Sequence, residues 1–429
     1  MTIIRQECFF SIQELYEMAP PQKYAAIIES IDLDMIYHAI SKKSQYGAPE
    51  SINYPALISA FFIRYVERIP TVKDLVRRLK DDVSFRMNCG FRLTDDPPSE
   101  ASFSRLVTKL SATHILERVE EKVLKTAIDA GFITDDTVAI DATHVPARDQ
   151  APTQKAGADG ASDEYTVYAQ PIAAQLDVDL DTLRDSVPQT PNWGIKKNSE
   201  GKHAYWYGFK AHIAVSAGSQ YILQSLFSGG QLNDGKAAIP LLKGIQSRLS
   251  LPDLRYQTMD AGYDDQSIYT QVYQMGQQSV IAYNVRNEKQ KDGFTQHFGP
   301  TCLREHPYRY DSYDSKYETL KYTQPKECRD CPLVQEGLCQ KVWKIKITQD
   351  LRRYTAPARG SKKWKHIYKR RTSVERVNAY LKSFFQLNNV RYRTGQRAQV
   401  HFNAVTIIYN ASKLAADTMN ASMTHVQTA

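Results

Sequence analysis

The segment Tyr368-Lys-Arg-Arg371-Thr-Ser-Val-Glu375-Arg-Val-Asn-Ala-Tyr-Leu-Lys382 places four chemically capable side chains at fixed intervals, in the pattern Y-x2-R-x3-E-x6-K. Val374, Val377, Leu381 and Phe385 recur at three- and four-residue steps, which predicts a helix; Arg371, Glu375, Asn378 and Lys382 then share its other face. One carboxylate sits between cations. A surface ion pair accounts for a lone Arg/Glu pair, but two acids far upstream ask for more. Asp141 ends the apolar run Val138-Ala-Ile, and Asp260 ends Tyr256-Gln-Thr-Met. An Asp after a strand is commonly a turn or cap residue. Three carboxylates on two strands and a helix are nonetheless hard oxygen donors suited to Mg²⁺ or Mn²⁺. Two such ions about 4 Å apart can activate an attacking oxygen and stabilise a leaving one in phosphodiester displacement. Arg371 and Lys382 would hold phosphates.

The charge distribution points to the same substrate. The 429 residues carry a formal charge of +8, yet Lys341 to Arg397 hold 17 Lys/Arg against Asp350 and Glu375, so the remainder is net negative. Trp343, Tyr354, Trp364, Tyr368, Tyr380 and Tyr392 are interleaved with these cations. A solvated face would explain the charge alone; charge with rings is the composition of a nucleic-acid surface. No apolar run is long enough to span a bilayer, and the N-terminus, with Arg5, Glu7 and Glu14, has no signal-peptide pattern. A soluble chain, without membrane partners and located in the bacterial cytoplasm or a nucleus, is expected.

The elements that must position these residues fall into regions. Residues 1–131 read as a helical N-terminal domain, with apolar residues at helical spacing in Pro55–Tyr65 and Phe103–Leu110. Pro97 and Pro98 break it, and Ser99 or Ser102 can cap the next helix, which allows either a helix-turn-helix or an ordinary bundle. From Thr137 the period changes: Thr137–Val145, Gly208–Ser216 and Tyr221–Phe227 read as strands. Lys236–Leu249 then reads as a helix, Arg255–Asp260 as a strand, Gln266–Met275 as a helix and Ser279–Asn284 as a strand. This α/β core spans 132–284, with a mobile acidic excursion expected at 149–206. A Cys-bearing basic insert follows at 285–365; 366–415, with the glutamate helix and a C-terminal helix, is expected to complete the core, and 416–429 to form a tail.

The insert carries Cys302 and then Cys328-x2-Cys331-x7-Cys339. A C-x2-C pair can grip one ion through two thiolates, and the other two cysteines would complete a tetrahedral structural Zn²⁺ site; reduced thiols without metal are the alternative. Cys8 and Cys89 read as buried thiols. His144 and His212, near strand ends, read as supporting or core residues, and Trp343 or Trp364 as either packing residues or platforms for a flipped base.

At these residues the chain resembles the DDE transposases of bacterial insertion sequences, of the insertion-sequence-four and insertion-sequence-five superfamily. The signature matches at Tyr368, Arg371, Glu375 and Lys382. Val138-Ala-Ile-Asp141-Ala-Thr and Met259-Asp260-Ala-Gly-Tyr263 look like the two Asp motifs, and Gly229-Gly-Gln-Leu-Asn-Asp234 resembles the intervening turn. The resemblance implies a ribonuclease-H-like mixed sheet flanked by helices, with Asp141, Asp260 and Glu375 coordinating two Mg²⁺ (or Mn²⁺) ions. Water would cut double-stranded DNA at the terminal inverted repeats, and the freed 3′-hydroxyl would attack target DNA. Tyr368, Arg371, Lys382, Arg391 and Arg393 would contact DNA, and a homodimer would synapse two ends. A metal nuclease of the same fold and an inactive DNA-binding relative are the competing readings.

Overall fold

The computed structural model describes residues 23–41, 52–149, 151, 166–197 and 202–428. It divides into two compact units: residues 1–127 with 380–429, and residues 128–379.

The first unit is helical. It contains α1 (Ala25–Glu29), α2 (Leu33–Ile40), α3 (Tyr54–Val66), α4 (Val72–Asp81), α5 (Val83–Asn88), α6 (Glu100–Ser111) and most of α7 (Ile115–Asp129). The starts are written in side chains: Asp32, Asn53, Thr71, Asp82 and Ser99 each accept a hydrogen bond from a first-turn backbone N–H. Ser99, not Ser102, is therefore the cap after the Pro97-Pro98 break. α3 is buried all round from Ala56 to Tyr65, which makes it the centre of the unit.

The second unit holds the sheet. In chain order come β1 (Thr137–Pro146), α8 (Leu180–Asp185), β2 (Asn192–Lys197), β3 (His203–Ser216), β4 (Ile222–Gly229), α9 (Asp234–Arg248), β5 (Tyr256–Met259), α10 (Gln266–Gln274) and β6 (Gln278–Ile281). β4-β3-β1-β5-β6 lie side by side; β3 is antiparallel to β1 and β4, whereas β5 is parallel to β1 and β6 to β5. Three meandering strands followed by two helix-linked parallel strands form the ribonuclease-H-like arrangement, with α9 and α10 as the crossover helices.

Within 149–206, the described part carries α8 and β2. β2 pairs with the first half of β3, Asn192 opposite Gly208 through Lys197 opposite His203, so this stretch extends the sheet and is not an unstructured excursion. The rest of that excursion lies outside the described residues. The Cys-bearing insert also has structure that its composition concealed: β7 (Arg309–Asp314), β8 (Thr319–Thr323) and β9 (Val342–Lys346) form an antiparallel sheet, with the short helix α11 (Pro332–Gln335) between the last two. Tyr308, Leu320, Tyr322, Ile345, Ile347 and Tyr354 give this sheet its own core.

α12 (Lys362–Lys369) and α13 (Thr372–Phe384) follow, and α14 (Gly395–Thr428) ends the chain. The segment expected to complete the catalytic core divides: from Tyr380 onward it belongs to the helical unit, where α14 packs against α1, α3 and α6. No Gly or Pro interrupts α14 after Gly395, so the expected tail is helix through Thr428. Ala398, Phe402, Val405, Ile408 and Ala411 are buried on it, and apolar burial on several sides makes α14 a core helix.

Candidate active site

Strand register brings the first two acids together. β1 and β5 run parallel with Ala139 opposite Thr258, so Asp141 and Asp260, each two residues further on, leave neighbouring strands at the same height and on the same side of the sheet. Asp260 then caps the turn Ala261–Tyr263, its Oδ1 accepting from the Gly262 N–H at 2.8 Å. The start of α9 packs on this turn, where Asn233 accepts from the Gly235 N–H at 2.9 Å.

The third acid arrives on helices anchored to the same sheet. Arg370, at the α12–α13 junction, donates to Asp136 Oδ1 at 2.5 Å and to Thr137 Oγ1 at 2.8 Å, at the start of β1. Burial alone would raise the Asp136 carboxyl, but hydrogen bonds from Thr137 and Arg370 hold it below its ordinary value. Val374, Val377 and Leu381 are buried and Phe385 nearly so, as the helical spacing requires. Glu375 lies in the first turn of α13 with its side chain 49% exposed, and its Oε1 is 2.7 Å from Arg371 Nη2. Tyr368 stacks on Trp364, with ring centroids 4.8 Å apart and planes 12° apart, and the Arg371 guanidinium lies 5.7 Å from the Tyr368 ring.

Charge accumulates where these elements meet. Burial pushes the Asp141 carboxyl up to about 6; the Ala142 N–H and the Arg371 charge act against that rise, and the negative charges of Asp260 and Asp234 add to it. Tyr263 is 1% exposed, and among the described residues its hydroxyl has no hydrogen-bond partner. Burial, then the nearby Asp234, Asp141 and Asp260, hold its proton on firmly. A buried hydroxyl without a partner is a donor left unused beside the carboxylates.

The donor set fits a hard divalent cation. Two carboxylates at one height supply oxygens, and burial with the neighbouring Asp260 and Asp234 makes the Asp141 charge costly in the absence of a cation. Glu375 is turned onto Arg371, and among the described residues no group of three His, Cys, Asp or Glu side chains is arranged to hold an ion. A half-exposed i,i+4 ion pair of this kind is worth only about 0.3–0.5 kcal/mol, so releasing Glu375 from Arg371 costs little.

The other expected residues separate. Lys382 is half-buried, two turns further along α13 than Glu375. Asn378, expected on the face of Glu375, is buried at 6% because the apolar stripe is wide enough to cover it. Arg391 and Arg393 are exposed in the helical unit, where Arg391 Nε donates to Asn389 Oδ1 at 2.7 Å. Trp343 packs edge-on to Tyr308 against the core of the second sheet, which makes it a packing residue. His212 is fully buried with Nε2 2.9 Å from Ser228 Oγ, and the His144 ring lies against Trp206.

Cys302, Cys328, Cys331 and Cys339 are all free thiols, the middle two buried. Burial, then the neighbouring Cys302, Cys331 and Cys339, raises the Cys328 thiol. Burial would raise Cys331 as well, but the N–H groups of Leu333 and Val334 and the Arg304 side chain bring it below its ordinary value. Cys89 is a buried thiol, and Cys8 lies outside the described residues.

Three participants were not singled out from the sequence. Tyr263 sat inside the quoted second Asp motif, but nothing local shows that its hydroxyl is buried. Asp234, the first residue of α9, is joined at 2.8 Å to Lys210, a residue 24 positions away on β3. Asp264, with a fully buried side chain, accepts from Arg352 Nε and Nη2 at 3.0 and 2.8 Å, from Tyr269 at 2.8 Å and from the Asn284 N–H at 2.9 Å. This buried pair ties the second Asp loop to the Cys-bearing insert.

No curated protein matches the sequence. Among solved structures, the chain is similar to a piggyBac transposase in its synaptic complex with hairpin DNA, with 12% identity, a TM-score of 0.40, and coverage of 92% of this chain and 73% of that one. Residues 13–109 match a transposase domain (DUF772). Residues 133–411, which carry the sheet and all three acids, match the transposase DDE domain, and the chain therefore belongs to the DDE transposase family.

Proposed function

We propose that this transposase cuts double-stranded DNA at the terminal inverted repeats of its element and joins the freed 3′ ends to target DNA, with Asp141, Asp260 and Glu375 as the catalytic acids. The observation that carries the reading is the shared height of Asp141 and Asp260 on parallel strands, with Arg371, one turn before Glu375, close enough for its charge to act on Asp141. These three residues would hold Mg²⁺ or Mn²⁺, as a pair of ions that would make the attacking oxygen nucleophilic and stabilise the leaving one. Arg371, now paired with Glu375, would on release take a phosphate oxygen with a charge-assisted hydrogen bond. The buried Tyr263 hydroxyl keeps its proton and can donate into the site. Tyr368, Lys382, Arg391 and Arg393 are proposed as DNA contacts, a homodimer as the synaptic form acting on the bacterial chromosome, and Cys302, Cys328, Cys331 and Cys339 as a structural zinc site. What supports zinc is the C-x2-C spacing and the influence of Cys302, Cys331 and Cys339 on the Cys328 thiol; the four thiols are not themselves arranged around one point and would have to close on an ion.

The deciding experiment is cleavage and strand transfer in Mg²⁺ on a labelled duplex carrying the terminal repeat of the element's own flanking DNA. Wild type should yield joined product. Asp141→Asn, Asp260→Asn and Glu375→Gln should each lose on the order of 10²-fold or more in cleavage while still binding the end. Cutting without joining would favour a nuclease, and loss of end binding by all three folded variants would remove the metal-ligand role.

A further inference from the structure

The β2–β3 hairpin leaves the sheet as a two-stranded arm whose one face is aromatic, aliphatic and open to solvent. Trp193, Ile195 and Tyr205 are 45%, 59% and 62% exposed. The register pairs Trp193 with Tyr207, Ile195 with Tyr205 and Lys197 with His203, which puts all six on one face. An exposed apolar patch of this kind on a folded chain marks a binding surface.

The chemistry of the arm selects the partner. Lys196, Lys197 and Lys202 accompany the rings, and no Asp or Glu occurs in the described parts of the arm; counting Glu200, which lies outside the described residues, the charge from 192 to 208 is still +2. Lysines on an edge strand oppose pairing with a second copy, and cationic charge is disfavoured at the centre of a protein interface, whereas phosphate attracts it. The arm is also continuous with the candidate site. Beyond Gly208, β3 pairs with β1, the strand of Asp141. On the arm's other face Trp206 lies over Gly194, where any Cβ would collide with its ring. The Trp206 centroid is 5.3 Å from His144, and Lys210 Nζ lies 5.8 Å from the ring. Trp206 therefore fixes the arm to the strands that carry the first catalytic acid.

We propose that this arm is a DNA-contacting element that holds the element end beside the active site, its lysines on phosphates and Trp193 and Tyr205 against sugar or base faces. The proposal rests on the transposase reading above. It is tested by measuring affinity for the terminal-repeat duplex across a salt series for wild type, Trp193→Ala/Tyr205→Ala and Lys196→Ala/Lys197→Ala, with self-association by sedimentation and melting curves as the folding control. The aromatic double variant should bind at least about 30-fold more weakly, from about 1 kcal/mol or more for each ring. The lysine double variant should flatten the slope of log K against log salt by about 1.8. If wild type binds and cuts the duplex while both variants match its affinity and slope, the arm assignment falls and the transposase reading stands. If wild type neither binds nor cuts it, both fall. Loss of self-association with unchanged DNA affinity would make the face a contact between copies and overturn the proposal.

Discussion

Asp141 should be a residue that destabilises the metal-free protein at neutral pH, and Asp141→Asn should reveal it. Burial, with Asp260 and Asp234 nearby, raises its carboxyl from 3.8 to about 6. Because the folded value lies above the unfolded one, the favourable contribution is complete below about pH 4 and is lost as pH rises through about 6. Each tenfold change in proton affinity is worth about 1.4 kcal/mol, so the ionised carboxylate costs up to about 3 kcal/mol at pH 8. Asparagine cannot ionise and avoids that cost. Melting in EDTA should therefore show wild type and variant close together near pH 4 and separating as pH rises, with the variant higher by several degrees, up to about 10 °C, near pH 8. Mg²⁺ binds the ionised form, so adding it should raise the wild-type melting temperature near pH 8 and leave the variant almost unmoved. A melting difference that stays constant between about pH 4 and pH 8 would refute the reasoning, since it would mean that the carboxyl ionises as freely in the folded protein as in the unfolded one.

Three further outcomes are expected. Arg371→Ala and Lys382→Ala should each weaken binding to the terminal-repeat duplex and reduce the salt slope by about 0.9, as a filter or anisotropy titration will show; an unchanged slope excludes phosphate contact by that residue. Arg352→Ala leaves the buried Asp264 carboxylate without its guanidinium and should destabilise the second unit by about 3–5 kcal/mol, whereas Arg353→Ala, which removes a more exposed partner of Glu288, should cost under about 1 kcal/mol; equal losses in urea melts would count against a buried pair. Purified protein should contain one zinc per chain by elemental analysis, with Cys331→Ser lowering the content; full metal-free protein with an unchanged melting temperature would leave these four cysteines as plain thiols.

The elements around the site were legible because their signals are local. Alternating and continuous apolar runs marked β1, β3, β4, β5 and β6, and the observed ends fall within a few residues of the expected ones except at the start of β3, which extends back to His203. The stripe of Val374, Val377 and Leu381 gave α13 its buried face, though not the width that also covers Asn378. β2 and the β7–β9 sheet were missed because their strands are short and rich in Lys, Tyr and Asp, so that each offers at most one aliphatic residue in step with a ring, as Leu320 with Tyr322 and Ile345 with Trp343, too few to mark an alternation. The Tyr-Arg-Glu-Lys spacing is itself a local quantity on a helix, which is why Glu375 could be singled out as a candidate before any fold was known.

What the sequence offered by itself was therefore a candidate set: Asp141 and Asp260 after apolar runs, and Glu375 between cations on a helix. Only the tertiary structure set Asp141 and Asp260 level on neighbouring strands. That Asp141 and Asp260 share one height follows from the pairing of Ala139 with Thr258, that Tyr263 lies buried among them follows from the packing of α9 on its turn, and that the C-terminal helix joins the N-terminal helices follows from an apolar surface that must be covered. Each depends on contacts between residues tens to hundreds of positions apart. Periodicity reports which face of an element is apolar, but the partner that covers that face is chosen by packing among all the elements at once.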